Sequence, residues 1–572
     1  MNFLSQDEIL ESLAAAGVVS AEAAETARAS AAASGKGVVD VLFDAHLADS
    51  ANLSRAIADR MGLPCIDLES VLVAPDVCAL LPRRLVVRYR VFPVEFDGKA
   101  LKVATSAPYN IRAFDELRTL AGIGIEPVFA APEGIRKAID QHYGVGADTV
   151  DTLVDAGNSD VSVLEDARGD ADITAANEEA TLIRFVNQVL VEALSMRATD
   201  VHFEPFENRM LVRYRIDGQL CDAPIPKEAS RFQRAIVSRI KIMSNLNIAE
   251  TRLPQDGRLK LLVHGREVDV RVSIIPMLFG EGVVLRLLDK SNLFLSLEKL
   301  GMAKDTLERF AGVIGRPHGI FLVTGPTGSG KTTTLYAALE KIRSPELKVI
   351  TIEDPIEYQL DGVNQIQVKP EINFDFAEGL RRILRHDPDV IMVGEIRDRE
   401  TAETAIQAAM TGHLVFSTLH TNDAAGALTR LVHMGIEPYL VGSSVEAVMA
   451  QRLVRILCPS CKAPETSREA FDVAGRAAAG RPNNLLKAVG CRTCRGTGYF
   501  GRQGVFELLS IDDNIRDMVL DHAPSTHIRK YAISEGMRTL RDDGWLKVFE
   551  GLTTVDEVVR VSKEEPSEAE KS

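Results

Sequence analysis

A lysine and a threonine set directly behind a glycine-rich turn carry the first chemistry of this sequence. The run is Gly325-Pro326-Thr327-Gly328-Ser329-Gly330-Lys331-Thr332, and Thr333 continues it into a helical stretch. Two glycines with four residues between them, followed by Lys-Thr, form the phosphate-binding loop pattern. Glycines let the backbone curl around an anion without a Cβ clash. A strand before the loop and a helix after it aim backbone N–H groups and the positive helix end at one spot. Lys331 can then reach β- and γ-phosphates, and the Thr332 hydroxyl can ligate Mg²⁺. The pattern implies a bound nucleoside triphosphate.

Carboxylates gather at two further strand ends. Val349 to Ile352 reads as a buried strand running into Glu353, Asp354 and Glu357. Val390 to Val393 reads as another, closing on Gly394 and Glu395, the apolar-strand-plus-acid form of a Walker B segment. Acids in such places can position Mg²⁺ and activate water. A third strand has His413 before it and His420 after it. A lone histidine is more often a satisfied structural residue than a catalytic one. His420, however, ends a strand expected to run parallel to the other two, where ligand sites gather. It is expected to contact the γ-phosphate; His413 stands open between the two roles. Cys458 and Cys461 form one CxxC pair, Cys491 and Cys494 a second, with 29 residues between Cys461 and Cys491. Four thiolates so spaced suit a closed structural zinc site. The alternative is a redox dithiol. Cys65, Cys78 and Cys221 have apolar neighbours and read as core residues.

The elements that must position these groups are legible in outline. Ile320 to Val323 reads as a strand and Thr333 to Ile342 as a helix, one on each side of the loop. From Gly301 to Leu457 strands and helices alternate as in a parallel-sheet core. Residues 179–290 read as a separate α/β domain, with strands at Asp200–Glu204 and Leu211–Ile216 and a turn at Asp217-Gly218. Residues 1–60 are Ala-rich and helical in pattern. Residues 61–144 read as α/β, with helices over Ile111–Leu120 and Pro132–Tyr143. Residues 145–178 hold nine acids against one base and no aromatic residue, the composition of a flexible acidic linker. A cysteine-bearing insertion (458–500), a C-terminal helical part (501–561) and a disordered charged tail (562–572) complete the expected order. A chain of 572 residues implies about three to five domains. No stretch reaches the ~18–20 apolar residues of a membrane span, and the start lacks the basic-then-apolar pattern of a signal peptide. A cytoplasmic protein is expected. The net charge of −15, without a basic cluster interleaved with aromatics, argues against a nucleic-acid motor.

Taken jointly, the motifs resemble the secretion ATPases of type II secretion and type IV pilus systems, most of all the E-component ATPase of the type II pathway. The likeness also runs through Arg252-Leu-Pro-Gln-Asp-Gly-Arg258, Asp269-Val-Arg271, Gly280 to Asp289, Arg452 to Cys458 and Gly501 to Glu507. It implies a multidomain α/β architecture. A RecA-like P-loop ATPase core is preceded by a PAS-like α/β domain and an N-terminal helical plus α/β module, and it carries a small zinc-binding insertion. It implies that Glu357 is the general base, that Glu395 holds Mg²⁺ directly or through water, and that Arg271 and Arg286 neutralise transition-state charge as arginine fingers. ATP, Mg²⁺ and structural Zn²⁺ follow as cofactors. The resemblance further implies a homo-hexameric ring whose domain motions drive pseudopilin assembly and protein export. Its partners would be inner-membrane platform components, a bitopic L component and a polytopic F component. The protein would then lie at the inner face of the inner membrane, touching it only through partners and binding no nucleic acid. Retraction ATPases lack the N-terminal module and the four cysteines, which favours secretion or extension. A type IV pilus assembly or DNA-uptake motor is the alternative. Some relatives bind cyclic di-GMP through N-terminal repeats with an Arg-Leu-Gly start. Ile9 to Leu13 and Gly37 to Phe43 lack that start, so the N-terminal module is expected to dock a membrane partner.

Overall fold

The computed structural model describes residues 6–562 apart from 35–37, 45–49, 69–70, 72, 144–169, 264–265, 290–295 and 478–484. The expected linker up to residue 169, and the tail from residue 563, lie outside the described residues. The chain divides into two compact units, Met1–Leu288 and Asp289–Ser572.

The first unit opens with helices Gln6–Ala15, Ala21–Ser34, Val38–Asp44 and Ser50–Met61, whose Leu10, Leu13, Leu42, Leu53 and Ile57 share one apolar cluster. Strands β1 (Val91–Phe96), β2 (Ala100–Thr105) and β3 (Gly124–Phe129) then form a small sheet, with β1 antiparallel and β3 parallel to β2. Of the three expected core cysteines only Cys78 is buried. Cys221 is half-buried, and Cys65, whose backbone bridges to Phe129, is exposed. A helix over Asp170–Ser195 begins inside the stretch expected to be linker. Ala171, Ala175 and Ala176 are strong helix formers. The density of acids concealed that signal.

Six strands follow: β4 (Ala198–Pro205), β5 (Met210–Ile216), β6 (Gln219–Asp222), β7 (Gln255–Val263), β8 (Arg266–Met277) and β9 (Gly280–Asp289), in spatial order β6-β5-β4-β9-β8-β7. Val268, Val270, Val272 and Ile274 of β8 join the core with side chains of Asp170–Ser195 and of helix Gln233–Met243. The period of two places Arg271 on the opposite face of that strand.

The second unit holds β10 (Gly319–Thr324), β11 (Val349–Glu353), β12 (Asn364–Gln367), β13 (Val390–Val393), β14 (Leu414–Leu419), β15 (Val445–Leu457), β16 (Ala463–Pro464), β17 (Leu486–Lys487) and β18 (Tyr499–Ser510). Seven of them form one sheet, β12-β11-β13-β14-β10-β15-β18, parallel except for β18. Its middle strands are buried on both faces, which is why they read as unbroken apolar runs. Ile320, Leu322, Ile391 and Val393 enter one core, and Phe321, Val323, Val390 and Met392 enter the other. The residues expected to open a helical C-terminal part are instead β18, paired antiparallel along β15 across the cysteine-bearing insertion. The ATPase sheet therefore does not finish at Leu457. Helices Asp513–Leu520, Ser525–Ser534, Leu540–Phe549 and Val555–Val561 follow β18. Among the described residues, no helix is long and apolar enough to cross a membrane.

Candidate functional site

The glycine-rich loop leaves the C-terminal end of β10 and enters helix Lys331–Ile342. Gly330 holds φ +87°, and a Cβ there would sit 2.8 Å from Gln451 Nε2. A Cβ on Gly325 would lie 2.5 Å from Gln451 O. Both positions exclude a side chain because β15 packs its Gln451 under the loop. Thr334 Oγ1 fastens the contact by donating to Gln451 Oε1 at 2.7 Å. Lys331 Nζ folds back on the loop, donating to Gly325 O at 2.8 Å and Pro326 O at 3.3 Å. Burial pulls the Lys331 pKa down, and the charge of Glu395 acts against that. The Ser329 hydroxyl is buried and lacks a hydrogen-bond partner among the described residues. An orphaned donor inside a turn of N–H groups fits an anion. Pro326, Thr327, Gly328 and Thr332 are exposed around it, and Thr333 is half-buried.

Two neighbouring strands end at the same edge. Glu395 follows β13, and His420 follows β14, which lies directly beside β10. His420 Nε2 and Glu395 Oε2 are 3.0 Å apart, and Arg397 also donates to Glu395. Burial works against ionisation of Glu395, but these two partners hold its pKa below the ordinary carboxylate value. Glu357 is half-buried on the turn after β11. Of the other acids expected there, Asp354 is exposed and Glu353 turns into the core, closed to a metal ion.

His413 does not join this group. It precedes β14, at the far edge of the sheet, and a six-residue strand puts roughly 20 Å between it and His420. Its Nδ1 is 2.8 Å from Ala408 O and 3.1 Å from Thr411 Oγ1, so it closes the end of helix Arg399–Met410. Arg271 and Arg286 lie in the first unit, on β8 and β9. Arg286 Nε pairs with Asp200 Oδ1 at 3.1 Å.

The four cysteines do converge. Cys458 and Cys491 sulfurs are 3.8 Å apart, and Cys461–Cys494 and Cys491–Cys494 are each 3.7 Å apart. All four lie within 4.8 Å of one another. Sulfurs about 2.3 Å from a tetrahedral zinc stand about 3.8 Å apart, so the set fits that ion. The N–H groups of Cys491 and Gly498 donate to Cys494 Sγ at 3.1 and 3.2 Å, support a thiolate needs.

Two participants stand outside the phosphate-loop, acid and histidine motifs. Gln451 supports the loop as described. Arg452 donates to Gln451 O and to Asn422 O, both at 3.0 Å, and so ties the phosphate loop to the turn behind His420. The family likeness ran through Arg452 to Cys458 without giving Arg452 a role, and it stopped short of Gln451.

A family model described as type II/IV secretion system protein matches residues 175–560, and the MshEN domain matches residues 61–149. The type IV pilus assembly ATPase PilB of Myxococcus xanthus is 43% identical over 519 residues, covering 89% of this chain and 91% of its own. The type II secretion system protein E of Xanthomonas campestris is 42% identical over 554 residues, covering 94% and 95%. The protein of that name from Pseudomonas aeruginosa is 50% identical over 410 residues, covering 72% and 81%. The X-ray structure of the ATPase DotB of Yersinia pseudotuberculosis matches with a TM-score of 0.50 at 21% identity, covering 67% of this chain and 93% of that one, a likeness of fold.

Proposed function

Because this chain belongs to the type II/IV secretion system protein family and is an ATP-hydrolysing enzyme of it, we propose that it spends ATP on pseudopilus assembly and protein export by a type II secretion system. The observation that carries the reading is the meeting of the Lys331 loop, Glu395 and His420 at one sheet edge. It stands in a chain similar along most of its length to proteins named type II secretion system protein E.

The loop from Gly325 to Thr332 binds the phosphates, and Lys331 exchanges its two carbonyl partners for phosphate oxygens. Thr332 and Glu395 hold Mg²⁺, which supplies charge neutralisation when bound. His420, oriented by Glu395, contacts the γ-phosphate. Glu357 takes the proton of the attacking water. Arg271 and Arg286 add positive charge to the transition state. Cys458, Cys461, Cys491 and Cys494 hold a structural zinc. The working form is a homo-hexamer at the inner face of the inner membrane. Residues 61–144 dock its membrane partners.

The test is Lys331→Ala on the chromosome, with secreted proteins and surface pili compared with the parent strain. Loss of secreted enzymes with pili intact supports type II secretion. The second reading is a pilus assembly motor, favoured by the Myxococcus relative. It predicts the reverse, loss of pili with secretion intact.

A further inference from the structure

The turn that carries Glu357 is held from beneath by a buried polar node. Tyr336 lies on the helix that begins at Lys331 and is 1% exposed. Its hydroxyl donates to Glu353 Oε2. Glu353 is 3% exposed, and its Oε1 accepts from Thr351 Oγ1 at 2.7 Å and from Gln365 Nε2 at 3.1 Å. Gln365 closes the circuit: Nε2 also donates to Tyr358 O at 3.0 Å, and Oε1 accepts from Leu360 N at 2.7 Å. A buried carboxylate is costly unless donors saturate it, and here they come from the phosphate-loop helix, β11 and β12. Glu353 thus serves as the anchor of this node, and Tyr336 links the anchor to the phosphate-loop helix.

We infer that Tyr336 is a positioning residue for hydrolysis, its hydroxyl tying the turn of Glu357, through Glu353 and Gln365, to the phosphate-loop helix so that base and phosphate site keep one spacing. This rests on the reading of Glu357 as the general base. A base must stand within about 2.6–3.2 Å of the proton it takes, and a misplacement of about 1 Å costs on the order of 10²-fold in rate. Phenylalanine at 336 keeps the ring and removes only the hydroxyl.

Tyr336→Phe and Glu357→Gln are made in the full chain. Turnover at saturating Mg-ATP is measured beside the affinity and stoichiometry of ATP binding. Tyr336→Phe is expected to lower kcat on the order of 10²-fold, with both binding parameters at the parent values. An unchanged kcat overturns the inference while a Glu357→Gln loss leaves the base reading standing. Parent turnover in Glu357→Gln removes the base reading and the inference with it. A kcat that falls only in step with bound nucleotide also overturns it, because Tyr336 then serves the fold alone. If Tyr336→Phe does not accumulate folded, Gln365→Met removes the link from Glu353 to the same turn from a half-buried position and is read by the same outcomes.

Discussion

At the C-terminal edge of the seven-stranded sheet, polar side chains meet one another across loops: Glu395 with His420 and Arg397, Lys331 with two loop carbonyls. At the opposite edge the same residue types are taken up by backbone. His413 holds Ala408 O, Lys348 Nζ donates to His386 O, and Asp389 Oδ2 accepts from Lys348 N at 2.7 Å. Strand direction explains the difference. Where parallel strands end, helices begin, and their first N–H groups and positive dipole ends gather without partners, ready for an anion. Where the strands start, helices have just ended, and their last carbonyls take up any donor nearby. A histidine one residue before a strand and a histidine one residue after it are therefore different chemical objects.

The largest effect belongs to the reactive edge. Glu357→Gln should lower turnover by roughly 10²–10⁴-fold, the usual contribution of general acid–base catalysis, with ATP binding retained. Turnover at the parent rate would leave that edge a binding site and nothing more. Cys458→Ser comes next, because β15 carries the reactive edge outward from Gln451 and Arg452 to Cys458. The parent protein should contain about one zinc per chain, and the variant should lose it. Metal binding at such sites is folding free energy, so the second unit should lose about 4 kcal/mol, the range where single substitutions become diagnostic. Metal analysis and thermal unfolding read this, and a stable parent without zinc would end the metal assignment. His420→Ala removes one phosphate donor and should cost about 10²-fold in kcat. An effect confined to KM would make it a binding contact alone.

Legibility in the sequence tracked the range of the interactions. The phosphate loop and both cysteine pairs are local patterns, where spacing along the chain already sets geometry. The central strands declared themselves because burial on both faces leaves them apolar throughout. Gln451 and Tyr336 did not, since each acts through a register spanning distant segments: Thr334 and Gln451 are 117 residues apart. β18 was missed for the same reason, its partner strand lying across the insertion. Glu353 stood in the acid cluster with Asp354 and Glu357, and only the packing separates the carboxylate that faces inward from those that face the edge. The helix from Asp170 was hidden because acids spread through the stretch outweighed its strong helix formers.

The smallest expected effect is the sharpest test of the two edges. His413→Ala deletes the side chain that closes helix Arg399–Met410, and a typical hydrogen bond contributes about 1 kcal/mol. For a unit of this size that is a fall in Tm of about 2–4 °C. Turnover per folded chain should stay at the parent value, because the lost contact lies a full strand length from Glu395. Thermal unfolding and steady-state rates on one preparation measure both. A rate loss matching that of His420→Ala, with Tm unchanged, would mean that His413 reaches the chemistry. Strand direction would then no longer decide which histidine is reactive.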